Sequence, residues 1–169
     1  VQTCALPICS GSITIGGSTG GNLGTLNFTP GYQNIGTLTM SRTGTGGNVV
    51  LGSALLINTN LTWGAALGAA TGKITLGNND LTIGSAATVT TTNAQAGAMV
   101  VADSVYGSGK LKKIFAANTA TTFTYPVGDT TGTTEYTPVV LTSFTAFGTN
   151  RTIGVYLNDA AHFAINSNL

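Results

Sequence analysis

The chain has 169 residues, of which only 7% are charged, and its net charge at pH 7 is +1. An average soluble domain is about 25% charged. Helical bundles and coiled coils, which need Glu and Lys, are therefore excluded, as is a nucleic-acid binder with a basic stripe. The hydrophobic fraction of 42% is too high for a disordered tail. A β-rich structural chain of the secreted type is the class that remains.

The first residues are set apart before the fold is considered. Residues 1–8 match the translated end of a common sequencing adapter, and Cys9 continues the same reading frame. We interpret residues 1–9 as adapter joined to an open reading frame from environmental sequencing, and we expect the rest to be a fragment of a longer protein. The alternative is a processed amino terminus with a Cys4–Cys9 disulfide. On the first interpretation the cysteines say nothing about the redox compartment.

Short β-type patterns recur between residues 10 and 93. Examples are ITIG at 13–16, LTWG at 61–64, ITLG at 74–77 and LTIG at 81–84. Alternation with a period of two, rich in β-branched residues and ended by Gly or Asn, predicts strands. The interleaved Thr and Asn are predicted to face water. The residues predicted to face inward are Leu26, Phe28, Leu38, Met40, Ile74, Leu76, Leu81 and Ile83.

These patterns also repeat at longer range. LGS at 51–53 recurs as LGN at 76–78, and a Leu-Thr pair begins at Leu38, Leu61 and Leu81. A period of 20 to 25 residues suits one coil of a β-solenoid, in which Gly and Asn form the corners. The period wanders, which favours an irregular parallel β-helix over a strict short-repeat array. A flat antiparallel sandwich would give similar patterns and is the alternative.

The character of the chain changes after residue 93. A small, polar segment at 92–97 is followed by longer and more aromatic strands, which alternate with turn-rich segments such as GDTTG at 128–132. This spacing predicts the start of an antiparallel β-sandwich. The predicted organisation is therefore all-β, with a solenoid over residues 10–93 and part of a sandwich over residues 94–169.

Several of these segments resemble a known group of proteins. LGNNDLTIG at 76–84, YPVGD at 125–129 and YTPV at 136–139 resemble elements of large β-strand-repeat, adhesin-like surface proteins of Bacteroidetes-type bacteria. The resemblance covers roughly residues 48–169, and Phe163 stands where those proteins would have Pro. It implies an extracellular or cell-surface location, of the kind often reached through type IX secretion, and it carries over no catalytic residues.

Two motifs that would carry chemistry are predicted to be chance matches. The G-x-S-x-G pattern at 16–20 matches a nucleophile elbow, and His162 follows it, but an elbow needs a strand–turn–helix context and the chain shows no helical periodicity. The GSGK segment at 107–110 lacks the first Gly and the final Ser or Thr of a phosphate loop.

The acidic residues are too scattered to predict an active site. Glycoside hydrolysis needs two carboxylates within about 10 Å, whereas these acids are isolated in the sequence. They are Asp80, Asp103, Asp129, Glu135 and Asp159. We therefore predict that the chain is not an enzyme, and that Asp80 and Asp129 cap turns.

No metal or cofactor is predicted either. One His and no usable cysteine pair exclude a zinc site. A lone Asp80 beside two Asn supplies too little charge for calcium.

One basic cluster is present, formed by Lys110, Lys112 and Lys113. Lys110 and Lys112 are expected to share a strand face opposite Leu111. This pattern indicates an edge strand protected against aggregation, and a contact with an anionic glycan is the alternative. Ladders of exposed Thr also suggest ice binding as a third interpretation. Ice binding needs a flat, regular array, and the wandering period argues against such an array.

The sequence therefore predicts a non-enzymatic, extracellular structural or adhesin-like segment of a larger bacterial protein. The alternative function is a carbohydrate-binding or carbohydrate-active β-helix. Surface glycans or other cell-surface proteins are the candidate partners, with self-association through uncapped solenoid ends as a further prediction. No membrane span and no nucleic-acid partner are expected.

Overall fold

The computed structural model describes residues 11–44, 46–64, 72–142 and 147–158. Within these ranges the chain forms fifteen strands and no helix. The strands are β1 Ser12–Gly17, β2 Gly24–Leu26, β3 Asn34–Arg42, β4 Val49–Leu51, β5 Leu55–Trp63, β6 Ile74–Thr75, β7 Leu81–Ile83, β8 Thr88–Thr90, β9 Val100–Val101, β10 Leu111–Phe115, β11 Phe123–Tyr125, β12 Val127–Asp129, β13 Glu135–Tyr136, β14 Val139–Leu141 and β15 Arg151–Val155.

The strands stack into a parallel β-solenoid of about four turns, which confirms the predicted fold class. One sheet has the order β1-β3-β5-β7-β10-β15, with β8 also paired to β5, and the second has the order β2-β4-β6-β9-β12-β13. Pairing is parallel from β1 to β10 in the first sheet and from β2 to β12 in the second. Each coil thus gives one rung to each sheet, so every inner strand finds its hydrogen-bond partners in the neighbouring coils.

The register explains why the sequence period wanders. Leu38 pairs with Leu61, as the Leu-Thr repeat predicts, whereas Leu61 pairs next with Val89. Leu81 instead pairs with Leu55. The turn at residues 84–87, closed by the Ala87 N–H donating to the Gly84 carbonyl at 3.1 Å, divides this rung into β7 and β8. The third Leu-Thr pair therefore does not stack on the second.

In the described ranges, the buried apolar side chains form one hydrophobic core along the inside of the solenoid. Six of the eight residues predicted to face inward are buried, while Leu26 and Phe28, near the first coil, are only partly buried. Trp63 is the largest fully buried side chain, and its indole N–H donates to the Gly72 carbonyl at 2.8 Å. The donor of this large apolar group is therefore satisfied inside the core.

The antiparallel part begins later along the chain than residue 94. Strands β10 and β12 still pair in parallel with β7 and β9. Antiparallel pairing begins with β13, β14 and β15, which bind to β12, β11 and β10 respectively. In the described residues, β10, β11 and β12 of the final coil are therefore each bordered by one antiparallel strand, and β11 and β14 form a separate two-stranded sheet.

Replacing a core leucine should separate core stacking from surface effects. Leu61 is 0% exposed, and we expect Leu61→Ala to lower the free energy of unfolding by about 2–5 kcal/mol, since it removes apolar contacts and leaves a cavity. Val50 in β4 is 42% exposed, so Val50→Ala should cost about 0.5 kcal/mol or less. Urea unfolding measures both. Equal losses in the two variants would contradict the assignment of Leu61 to the core.

Candidate functional site

The predicted lysine cluster is divided between the two faces of β10. Leu111, Lys113 and Phe115 are buried, while Lys112 points outward as predicted. The flanking Lys110 places its Nζ 5.3 Å from the centre of the Tyr156 ring, within reach of a cation–π contact. The three ammonium groups therefore do not form one basic patch.

Lys112 and Lys110 contact the preceding coil through Asp80. The Lys112 ammonium forms an ion pair with one carboxylate oxygen of Asp80, and the other oxygen accepts the Lys110 backbone N–H at 2.9 Å. Partial burial raises the pKa of Asp80. The hydrogen bonds from Lys112 and Lys110, together with the charges of both lysines, lower the pKa by more than burial raises it. The net result is a pKa below the usual 3.8. Asp80 thus joins two coils and does not merely cap its own turn.

Lys113 is an inward-facing lysine that is only 4% exposed. Its ammonium donates to the carbonyl oxygens of Gly84 at 2.5 Å, Ser85 at 3.1 Å and Ala87 at 2.8 Å. Burial lowers the pKa of this amine. Because all three N–H groups donate to carbonyls of the turn between β7 and β8, Lys113 holds that turn against β10.

A groove of about 380 Å³ lies beside Lys113 and the turn that it contacts. Its lining includes the buried side chains of Lys113, Phe115 and Phe123 and several threonines. Phe115 is 1% exposed and Phe123 7%, and the two rings contact each other edge to face at 6.3 Å between centroids. Their faces are thus not available for stacking against a sugar, and the rest of the groove is lined by threonine hydroxyls together with small apolar side chains such as Ala87 and Val89.

The segment at 107–110 uses its backbone amides within the solenoid. The Ser108 N–H donates to Asn78 Oδ1 at 3.2 Å, and the Gly109 N–H donates to the Gly77 carbonyl at 2.8 Å. Gly107 has a φ of +147°, and a Cβ there would lie 2.4 Å from the Gly77 backbone. These glycines therefore permit close packing of two corners, which removes the donors that a phosphate loop would need.

The G-x-S-x-G pattern at 16–20 is not a nucleophile elbow. Its first two glycines end β1, and the next element is the strand β2. An elbow places its Ser between a strand and a helix, whereas this segment lies between two strands.

One pair of acids comes together that the sequence did not predict. Asp129 in β12 lies directly opposite Glu135 in β13. Directly opposed side chains in an antiparallel pair share one face, and like charges there are destabilising. The signal was the turn-rich GDTTG segment at 128–132, which contains Asp129 and begins the hairpin that brings the two acids together. A cavity of about 180 Å³ beside Asp129 is lined also by Thr137, Leu157 and Asn158, but not by Glu135.

Another acid, Asp103, is engaged within the fold. It is 3% exposed, and its two oxygens accept the Val105 N–H at 2.9 Å and the Thr131 hydroxyl at 2.7 Å. The fifth acid of the sequence, Asp159, lies outside the described residues, as do Cys4, Cys9 and His162. In the ranges that are described, no group of three or more His, Cys, Asp or Glu is placed to hold a metal.

Removing the Lys113 ammonium should destabilise the fold. In Lys113→Met the apolar stem is retained but three carbonyl oxygens lose their donor, so we expect the free energy of unfolding to fall by about 1–3 kcal/mol. Lys110→Met is the matched control, and its expected cost is below about 0.5 kcal/mol. Denaturant unfolding of both variants is the measurement. An unchanged stability of Lys113→Met would show that the hydrogen bonds of the Lys113 ammonium do not stabilise the turn.

The ion pair at Asp80 should contribute an acid-dependent part of the stability. Because its pKa is lowered by folding, the contribution is present above about pH 4 and is lost as the pH falls through the lowered pKa. Asp80→Asn should remove this pH dependence, which melting temperatures between about pH 2 and 6 would reveal. Lys112→Met should reduce it only in part, since the Lys110 N–H remains. A wild-type acid profile in Asp80→Asn would refute the assignment.

Three comparisons with known proteins were made. No protein-family profile, curated protein or solved structure matches the chain. In the part of the chain that the structure describes, no helix is long and apolar enough to cross a membrane.

Proposed function

We propose that the chain is a non-enzymatic structural segment of a larger bacterial protein, adhesin-like and located at the cell surface or outside the cell. The observation that carries the proposal is that half of the charged side chains of the described residues, namely Arg42, Asp80, Asp103, Lys112 and Lys113, form hydrogen bonds or ion pairs within the scaffold itself. Lys112 with Asp80, and Lys113 with three carbonyls, join neighbouring coils and the turn between them. Arg42, only 8% exposed, likewise donates to the Thr19 carbonyl.

The solenoid architecture suits such a role. Each coil contacts mainly its neighbours, so the molecule extends in one direction and its length follows from the number of coils. Export through type IX secretion, and attachment to surface glycans or proteins, belong to this proposal on the strength of the sequence resemblance. Self-association through solenoid ends also stays a prediction.

A carbohydrate-active β-helix is the second candidate, and one observation favours it. Asp129 and Glu135 face each other across β12 and β13, and retaining glycosidases use two carboxyl groups about 5 Å apart. In a structural segment this pair has no catalytic task, so removing it should change no activity.

A polysaccharide panel separates the two functions. The full chain, incubated with soluble and insoluble polysaccharides, is expected to release no more reducing sugar than the Asp129→Asn/Glu135→Gln variant. Sugar release by the wild type that is lost in this double variant would overturn the structural proposal. Attachment of beads coated with the chain to bacterial surfaces, against beads coated with the unfolded chain, tests the adhesive part. Equal attachment of the two would remove it.

A further inference from the structure

Eight outward-facing side chains of the first sheet form a regular array, which we call the hydroxyl grid. It consists of two columns that run across four strands. In the first column Ser12 pairs with Thr37, Thr37 with Asn60, and Asn60 with Thr88. In the second column Thr14 pairs with Thr39, Thr39 with Thr62, and Thr62 with Thr90. Six of the eight are Thr, and each strand supplies one residue to each column.

The two spacings of the grid follow from strand geometry. Neighbouring strands lie about 4.8 Å apart, and residues two apart on one strand lie about 6.6 Å apart. Threonine is stiff at χ1 because it is branched at Cβ, so stacked threonines repeat one orientation of methyl and hydroxyl. The result is a nearly rectangular array with two repeats.

The grid is held from behind by the core. The residues between its two columns point inward, and among them Leu38 is 1% exposed and Leu61 0%. At the β5–β8 edge, Asn60 Nδ2 donates to the Thr90 hydroxyl at 3.3 Å, and the Thr88 hydroxyl donates to Asn60 Oδ1 at 3.1 Å. Stacked ladders of this kind are what keeps a sheet from twisting. The outward side chains are therefore positioned before any ligand arrives.

The chemistry of the grid favours ordered water over other partners. None of its eight residues is charged or aromatic, so it has neither the cations that attract an anionic glycan nor the rings that stack on sugars. The hydroxyls of Thr14, Thr39 and Thr62 make no side-chain hydrogen bond within the described residues, and they face solvent at full or intermediate exposure. They are free to bond to water molecules fixed at the grid's own repeats.

We infer that this face binds ice, through the hydroxyl grid. The inference is independent of the structural role proposed above, since a grid on a free-standing chain would bind equally well. It also reverses the expectation from the sequence, in which the wandering period argued against a regular array. The irregularity lies in the corners, in the turn at 84–87 and in the register shift between Ile35 and Thr37. From Thr37 onward the paired residues of the grid keep their register.

The test uses the full chain in supercooled buffer with a single ice crystal. The wild type is expected to show thermal hysteresis, to shape the crystal and to slow ice recrystallisation. Thr39→Tyr and Thr62→Tyr place a bulky ring in the middle of the grid and should lose all three effects. Thr152→Tyr is the matched control, because Thr152 is exposed on the same sheet but lies in β15, outside the grid, and it should keep them.

Folding controls and an alternative surface make the test decisive. Circular dichroism and thermal melts establish that each variant is folded. A folded wild type without hysteresis or recrystallisation inhibition would overturn the inference, as would equal loss in Thr39→Tyr and Thr152→Tyr. Binding to microcrystalline cellulose or chitin that is lost in Thr39→Tyr, without any effect on ice, would also overturn it and assign the grid to a polysaccharide.

Discussion

The register between successive coils is the constraint on which the rest of this molecule depends. Because each inner strand is bonded to the coils before and after it, a shift of one residue would turn every inward side chain of that strand outward. The corners fix the register with side chains that reach from coil to coil. Asn48 accepts the Lys73 N–H at 3.1 Å and donates to Asn22 at 3.1 Å, and Asn79 donates to the Leu51 carbonyl at 2.7 Å. Asn and Asp at these corners therefore stabilise more than their own turns.

The same constraint explains why so few charges suffice and where they lie. A buried ammonium is tolerated only if its donors are satisfied, and Lys113 meets this condition because the turn at 84–87 offers three carbonyls. Asp80 is useful at its corner because two lysines of the next coil approach it. In both cases the charge joins segments that are about 30 residues apart along the chain. Such side chains are poor candidates for binding an external ligand, since their partners are already inside the fold.

The sequence predicted which segments are strands and which residues face inward better than it predicted which strands pair with each other. Alternation identified the inward faces of β3, β6 and β7, because burial of every second residue leaves its trace in the residues themselves. Alternation could not predict which Leu-Thr pair stacks on which. That pairing depends on the turn at 84–87, which divides one rung into β7 and β8, and the sequence alone does not show that both strands pair with β5. Likewise, a strand pattern carries no sign of parallel or antiparallel pairing, so the boundary at residue 93 followed a change in composition. The inward position of Lys113 did have a signal: it lies two residues from both Leu111 and Phe115.

The regularity of a solenoid face therefore has to be assessed from pairing and not from sequence period. A coil that is longer than its neighbours can place the extra residues at a corner, where Gly and Asn accept unusual backbone angles, or in a bulge within a rung. The bulge between Ile35 and Thr37 lies within the pairing of β3 with β5, and the turn at 84–87 directly precedes β8. Beyond them, the segments that end in Thr39, Thr62 and Thr90 align residue by residue. Selection acting only on stability would require this alignment of the inward column, where Leu38 and Leu61 are buried. Burial does not select the residues of the two outward columns, and a β-branched residue favours a strand at any outward position. The repetition of threonine from coil to coil at Thr39, Thr62 and Thr90 is therefore the part of the pattern that the core does not explain.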